Sequence, residues 1–261
     1  MSGPPRHLTA GTGTPCRTGR RAPFSAPMDT APPARPRLDH VETWIFDLDN
    51  TLYPASSNLF AQVDRRIGEF IAARFDLPYE EARKKQKGYF RDYGTTLRGL
   101  MTEHDIDPGE FLEYVHDIDV TPIAPSTALD AALAALPGRR LIYTNGSVRH
   151  AEKVMDRLGV TARFEGVFDI VAADYVPKPD PRPYGVLLER HGVNPTRAVM
   201  VEDIARNLVP AAALGMTTVW IRSEADWSRP DGGGIGTGAH IHHVVDDLVE
   251  WLAGVAGTAR A

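Results

Sequence analysis

The segment VETWIFDLDNT, residues 41–51, decides the fold of this 261-residue chain. Its first half is a short apolar run, and Asp47 and Asp49 stand directly where that run ends. Four more runs rich in branched and aromatic residues follow, at 140–143, 198–201, 217–221 and 241–245. Runs of this length and composition are typical of buried parallel strands, because both faces of such a sheet are covered.

Segments with helical spacing lie between these runs. Apolar side chains recur three or four residues apart over 127–136, 148–158, 183–191, 205–214 and 246–253. Alternating strands and helices indicate a parallel sheet, because parallel neighbours need a crossover connection and the helix supplies it. The sequence therefore predicts an α/β fold: a Rossmann-like parallel sheet with helices on both faces.

Residues 56–120 break the alternation, since they contain no convincing strand. Their spacing predicts helices at 58–75, 79–92, 94–104 and 108–117. Loops that leave the carboxyl ends of parallel strands build the active sites of open α/β sheets. We therefore expect residues 56–120 to form an all-helical cap beside the site, inserted into a core formed by 39–55 and 121–255.

Composition excludes several classes of protein. The formal net charge is −5 and the pI about 6.0, so the chain lacks the basic surface of a nucleic-acid binder and a small-molecule partner is expected. No apolar run approaches the roughly 18 to 20 residues that cross a bilayer, so no membrane partner is expected. Cys16 is the only cysteine, which excludes an intramolecular disulfide and favours a cytoplasmic protein.

Residues 1–38 differ from the rest of the chain. They hold eight of the 21 prolines, six arginines and a single acidic residue, Asp29. Few large apolar groups are present, so the segment cannot bury enough surface to offset its ordering entropy, and we expect it to be disordered. A second interpretation stays open: translation begins at Met28 and the preceding residues are an upstream artefact.

Acidic side chains follow two of the predicted strands. Asp47 and Asp49 follow the first, and Glu202 and Asp203 follow the run at 198–201. Carboxylates crowded at one sheet edge repel each other, and a divalent cation that prefers oxygen ligands, such as Mg²⁺, would resolve the conflict. The alternative is that these acids only cap the helices that follow them.

Two further strand ends and loops carry groups suited to an anion. Thr144, Asn145 and Gly146 follow the run at 140–143 and offer a hydroxyl, an amide and a backbone N–H before a predicted helix. Lys178 lies between two prolines, which hold its point charge in place for a phosphate. Taken singly, these residues are equally consistent with a turn and a solvated lysine.

This combination resembles the haloacid dehalogenase superfamily of phosphohydrolases. Its four signatures stand in the family's order at DLDNT (47–51), Thr144-Asn145, Lys178 and Glu202-Asp203. The resemblance covers residues 41–255 and implies a Mg²⁺-dependent phosphomonoester hydrolase that acts through an aspartyl phosphate. Members that release halide lack the second aspartate, so Asp49 favours phosphate chemistry.

The resemblance also implies a role for each matching residue. Asp47 would be the nucleophile, Asp49 the general acid and base, and Lys178 the cation between nucleophile and phosphate. The Mg²⁺ ligands would be Asp47, the backbone carbonyl of Asp49, and Asp203, whereas a contact from Glu202 stays open. The phosphoryl oxygens would be held by Thr51, Thr144 and Asn145.

A stretch of the predicted cap indicates a substrate class. Residues 93–100 read YGTTLRGL and, with DLDNTLYP at 47–54, resemble the pyrimidine 5′-nucleotidase branch of the superfamily. That resemblance implies a phosphatase for nucleoside monophosphates such as UMP. Candidate nucleoside contacts are Tyr93, Thr96, Arg98 and His104, whose types can stack on a base or bond its edge. Alternatively, Tyr93 packs in the cap and Arg98 is solvated.

Three rival functions remain open at this level. The four signatures do not separate a nucleotidase from a phosphatase for phosphoglycolate or a sugar phosphate. A phosphomutase would share the nucleophile and the acid but would return the phosphoryl group to its product. A non-catalytic binding protein would need neither Asp47 nor Asp49, which argues against it.

Overall fold

The computed structural model describes residues 38–223 and 238–258. The predicted disordered segment, residues 1–38, lies outside this part of the chain except for Leu38. Within the described ranges, no helix is long and apolar enough to cross a membrane.

The described residues form a six-stranded sheet in which all neighbouring strands run parallel. Its strands are β1 (Thr43–Phe46), β2 (Arg139–Tyr143), β3 (Gly166–Phe168), β4 (Ala198–Glu202), β5 (Thr217–Ile221) and β6 (His243–Val245). Their spatial order is β3-β2-β1-β4-β5-β6. The parallel sheet predicted from the sequence is thereby confirmed, with β1 near its middle.

Helices connect the strands. They are α1 (Leu59–Phe75), α2 (Tyr79–Tyr93), α3 (Thr96–His104), α4 (Pro108–Val115), α5 (Thr127–Ala135), α6 (Val148–Leu158), α7 (Pro181–His191), α8 (Leu208–Ala213) and α9 (Leu248–Thr258). The side chains of Ser126 and Ser147 accept hydrogen bonds from the backbone at the starts of α5 and α6. Gly159 ends α6 with a φ of 77°, a conformation that glycine adopts without steric cost.

The sequence predictions did not include β3. It is three residues long, begins with Gly166 and lies at one edge of the sheet. A run this short has no detectable period, and glycine is unfavourable in strands, so only its pairing with β2 makes it a strand.

Both faces of the sheet are covered by apolar side chains. Along β1, Trp44 and Phe46 belong to one hydrophobic cluster and Ile45 to another, as expected when successive side chains point to opposite faces. Tyr143 and Met200 lie in the same cluster as Ile45. The sheet is therefore the middle layer of a three-layer arrangement.

Strand register brings the acidic residues to one edge. Phe46 pairs with Ile142 on one side and with Val201 on the other. Asp47, the first residue after β1, and Glu202, the last residue of β4, therefore lie at the same level of this edge.

The helices α1 to α4, called here the inserted helices, lie between β1 and α5 in the chain. Within this group α1 contacts α2 and α4, and α2 contacts α3. Their buried apolar residues, such as Phe70, Leu100 and Phe111, join the cluster on one face of the sheet. That they act as a separate cap over 56–120 stays a prediction.

Candidate active site

Asp47 is held at both of its carboxylate oxygens. Lys178 Nζ donates to Asp47 Oδ1 over 2.7 Å, and Thr51 Oγ1 donates to Asp47 Oδ2 over 2.9 Å. The Asp47 side chain keeps only 9% of its surface exposed. A carboxylate fixed in this way, at the end of a central strand, is oriented before any ligand arrives.

Lys178 connects two strand ends and a loop. Its Nζ also donates to the backbone oxygen of Tyr143 over 2.9 Å and lies 3.0 Å from Glu202 Oε1. With Asp47, the ammonium therefore has one oxygen partner for each of its three N–H groups. Although burial lowers the pKa of this ammonium, Asp47 and Glu202 outweigh burial and raise the pKa above its ordinary value. Lys178 therefore stays charged at the centre of the acidic group.

Three acidic side chains converge beside Lys178. Ligand oxygens of Asp47, Glu202 and Asp203 lie within 4.8 Å of one another. Burial, with help from Glu202, raises the pKa of Asp47 to about 7, and the same causes raise the pKa of Asp203 well above its usual range. The ionised forms of Asp47 and Asp203 are therefore unfavourable until a positive charge beyond that of Lys178 is added.

The donor set fits a hard divalent cation. Asp203 Oδ2 is buried and has no hydrogen-bond partner among the described residues. In contrast, Glu202 accepts from the side chain of Asn207, from Ile204 N over 3.0 Å and from Lys178. Oxygen ligands are those that Mg²⁺ prefers. Asp203 Oδ2 thus has free capacity for a cation, whereas both carboxylate oxygens of Asp47 and of Glu202 already accept from protein donors.

Asp49 has different neighbours from Asp47. Asp49 Oδ1 accepts from Tyr53 Oη over 2.6 Å, and His150 Nε2 lies 2.8 Å from the same oxygen. Burial raises the pKa of Asp49, but His150 and Tyr53 together outweigh it and hold the pKa below its usual value. His150 also stacks on His116, with ring centroids 4.4 Å apart.

The predicted phosphate-binding residues lie around this centre. Thr144 follows β2 and is buried, and its Oγ1 accepts from Gly146 N over 2.9 Å. Asn145 Oδ1 accepts from the backbone N of Lys178 over 2.9 Å, which ties residues 176–179, called here the lysine loop, to the end of β2. Thr51, the third of them, is already bonded to Asp47. The structure therefore brings all three to the carboxyl edge of the sheet.

Three of the four candidate nucleoside contacts are engaged within the inserted helices. Tyr93 Oη donates to Glu103 over 2.8 Å, the hydroxyl of buried Thr96 donates to a backbone oxygen of α2, and His104 Nε2 lies 2.7 Å from Tyr89 Oη. Their contact with a nucleoside stays a prediction.

The charge of Arg98, the fourth candidate, acts on a residue beside the lysine loop. The pKa of Asp180, two residues after Lys178, is held below its usual value by Arg182 and more weakly by Arg98. Of the four candidates, Arg98 is therefore the one whose charge acts on the loop that carries Lys178.

Sequence reasoning missed four residues around the acids: Tyr53, His116, His150 and Asn207. Tyr53 lies four residues after Asp49, a spacing that could have drawn attention to it. His150 lies 101 residues from Asp49, and no local pattern joins the two. Only the adjacency of β1 and β2 brings them together.

Comparison with known proteins gives a consistent family. A family model described as haloacid dehalogenase-like hydrolase matches residues 41–215. The crystal structure of a HAD phosphatase from Thermococcus onnurineus superposes with a TM-score of 0.57 and 19% identity, over 85% of this chain and all of that one. At this identity the likeness concerns the fold alone.

Two curated relatives are similar over most of this chain and carry different names. The Saccharomyces cerevisiae "Phosphate metabolism protein 8" is 25% identical over 72% of this chain, and the match spans 64% of that protein, just under two thirds. The N-acetylmuramic acid 6-phosphate phosphatase of Pseudomonas aeruginosa is 28% identical, over 68% of this chain and 80% of that protein.

Proposed function

Since the chain belongs to the haloacid dehalogenase-like hydrolases, we propose that it is a phosphatase that hydrolyses small phosphate monoesters through an aspartyl phosphate on Asp47. The observation that carries this proposal is the ion pair between Lys178 Nζ and Asp47 Oδ1, 2.7 Å apart and buried. An anionic nucleophile must approach an anionic phosphate, and a fixed cation at the nucleophile lowers the electrostatic cost of that approach.

The proposed reaction has two steps. In the first, a carboxylate oxygen of Asp47 bonds to phosphorus, the bond from phosphorus to the alcohol oxygen breaks, and Asp49 gives that oxygen a proton. In the second, Asp49 takes a proton from water, the water oxygen bonds to phosphorus, and Asp47 leaves as a carboxylate. Throughout both steps, Thr51, Thr144 and Asn145 hold the phosphoryl oxygens.

A Mg²⁺ ion would be held by Asp47, Asp203 and the backbone carbonyl of Asp49. When bound, it would supply positive charge against the phosphoryl oxygens and the buried acids. The unpartnered Oδ2 of Asp203 supports this choice of ligand, and the protein donors on Glu202 favour an indirect role for that residue.

We expect a chelator to stop phosphate release and Mg²⁺ to restore it. Because the pKa of Asp47 is raised to about 7 and that of Asp203 also lies above its usual range, protons compete with the cation. Mg²⁺ should therefore raise the melting temperature more at about pH 8 than at about pH 5.5. Scanning calorimetry at both pH values checks this.

The matched pair of variants for this experiment is Asp203→Asn and Asp105→Asn. Asp105 is exposed and lies at the end of α3, so its variant should keep the full Mg²⁺ response. Asp203→Asn should lose that response. Equal Mg²⁺ stabilisation of both variants would exclude Asp203 as a ligand.

Within this class we propose pyrimidine nucleoside 5′-monophosphates as substrates, on the basis of the stretch at 93–100. Arg98 is the residue of that stretch with a charge acting near the lysine loop. The relative named for N-acetylmuramic acid 6-phosphate supports a second candidate, a sugar phosphate. The two candidates differ in whether a planar base or a sugar hydroxyl group must be recognised.

A panel of UMP, CMP, phosphoglycolate and hexose phosphates separates the candidates. We expect UMP to give the highest kcat/KM and Arg98→Met to lower it about tenfold, the size of one charged hydrogen bond. Exposed Arg74, at the end of α1, provides the matched control Arg74→Met. Faster cleavage of sugar phosphates, with Arg98→Met unchanged on UMP, would contradict the nucleotidase proposal. Isomerised product in place of free phosphate would indicate a phosphomutase.

A further inference from the structure

The carboxylate of Asp49 is held at one oxygen only. Both hydrogen bonds to its side chain, from Tyr53 Oη and His150 Nε2, end on Oδ1. Oδ2 receives none from the residues that the structure describes, and the side chain keeps 15% of its surface exposed. One oxygen is thus fixed by the protein, whereas the other is free to react.

His150 is a rigid donor. Its side chain is fully buried, and its ring stacks on His116 with an interplanar angle of 13°. His116 Nδ1 lies 3.0 Å from Ser147 Oγ, at the start of α6. Two elements therefore hold the His150 ring in one plane: its own helix, and the segment that follows the inserted helices.

The direction of the hydrogen bond follows from its acceptor. Asp49 Oδ1 accepts both when the carboxyl group is ionised and when its proton is on Oδ2, so the proton between the two groups belongs to His150 Nε2. His150 Nδ1 is buried and has no partner in the described part of the chain. Burial, with help from His150, lowers the pKa of His116 to about 3, so its ring is uncharged and stacks without charge repulsion.

We infer that His150 is a positioning residue for proton transfer: with Tyr53 it holds Asp49 Oδ1, so that Oδ2 exchanges the proton with the alcohol and then with water. This inference rests on the proposed phosphatase function. Oδ2 gives its proton to the alcohol oxygen as the phosphorus–oxygen bond breaks, and it regains a proton from the attacking water. Loss of the hydrogen bond from His150 leaves Asp49 Oδ1 with the Tyr53 donor only, so the carboxylate is less firmly oriented, and poor positioning of a reacting group costs about 10²-fold.

A matched pair of amides tests His150. A glutamine amide extends to about the position of Nε2, whereas an asparagine amide stops near that of Nδ1, so His150→Gln can restore the donor and His150→Asn cannot. The substrate is 4-nitrophenyl phosphate, whose acidic leaving group departs without a proton. The readouts are the first-turnover burst of nitrophenolate and the steady-state rate.

For His150→Asn we expect a burst close to one nitrophenolate per site, at nearly the parent rate. The steady-state rate that follows should be about 10²-fold below that of the parent, because with this substrate only the second step still needs the proton transfer. His150→Gln should recover most of that loss. Tyr53→Phe, which removes only a hydroxyl, should shift the two phases in the same sense and carries the test if His150→Asn does not fold.

Two results would overturn the inference. In the first, folded His150→Asn keeps the parent rate in both phases. In the second, burst and steady state fall equally and His150→Gln recovers neither, which indicates a merely structural histidine. Failure of the proposed phosphatase function would give a different result from failure of this inference. The unsubstituted protein with Mg²⁺ would then release no phosphate from any monoester.

Discussion

Replacing Asp47 with asparagine should abolish phosphate release, by about 10⁴-fold or more, while the protein stays folded. The amide oxygen of asparagine is a poor nucleophile, so the aspartyl phosphate does not form. The side chain keeps nearly the same shape, and Lys178 keeps its contact with Glu202 at 3.0 Å. The substitution therefore removes the chemistry and leaves most of the packing unchanged.

The stability of this variant has a predicted pH dependence. In the metal-free protein, the pKa of Asp47 is raised to about 7 from 3.8, so folding favours its protonated form. A raised carboxyl pKa means that the parent loses stability as the pH rises from about 4 to about 7. Asparagine does not titrate, so the variant should gain stability relative to the parent across that window.

Three measurements check the prediction. Phosphate release reports turnover, mass spectrometry reports the aspartyl phosphate, and denaturant unfolding at about pH 5 and about pH 8 reports the stability difference. Asp105→Asn, at an exposed position, is the matched control and should behave as the parent in all three. Turnover by Asp47→Asn at the parent rate would refute the assigned nucleophile.

Replacing Lys178 with methionine should have the second largest effect, because it reduces both activity and stability. Lys178 is 1% exposed and contacts two carboxylates, Asp47 and Glu202. Removing one partner of a buried ion pair typically costs about 3–5 kcal/mol, since the other charge is left uncompensated. We expect a loss of that size near pH 8 and a loss of activity of at least about 10³-fold.

A double variant separates the two effects. Glu202→Gln removes one of the uncompensated charges, so Lys178→Met with Glu202→Gln should regain part of the lost stability and none of the activity. Exposed Lys87 supplies the matched control, Lys87→Met. The prediction fails if Lys178→Met unfolds at the same denaturant concentration as the parent, since the buried pair would then be energetically unimportant.

Five of the six described strands and the two main acidic positions could be predicted from local sequence. Apolar runs of four to six residues form strands because a sheet covered on both faces needs apolar side chains in succession. Asp47 and Asp203 follow two such runs, and β1 and β4 are neighbours in the sheet. Their convergence followed from the general rule that parallel strands present their carboxyl ends at one edge.

Contacts between distant residues could not be predicted in the same way. Asp49 and His150 are 101 residues apart, and His116 reaches His150 from the far end of the inserted helices. The four candidate nucleoside contacts show the opposite case. They are close in sequence, yet Tyr93 and His104 bond within the inserted helices and Arg98 acts near the lysine loop.

The order of apolar and charged residues by itself determined the parallel sheet, the helical insertion and the strand ends that carry the acids, because hydrophobic period and strand-end position are local properties. Only the tertiary structure decided which oxygen of each acid has a partner. Lys178 and Thr51 donate to the two oxygens of Asp47, whereas Tyr53 and His150 both bond Oδ1 of Asp49. Oδ2 of Asp203 has no hydrogen bond within the described residues. The physical reason is that hydrogen bonding and desolvation depend on atoms brought together by packing, often across a hundred residues of chain.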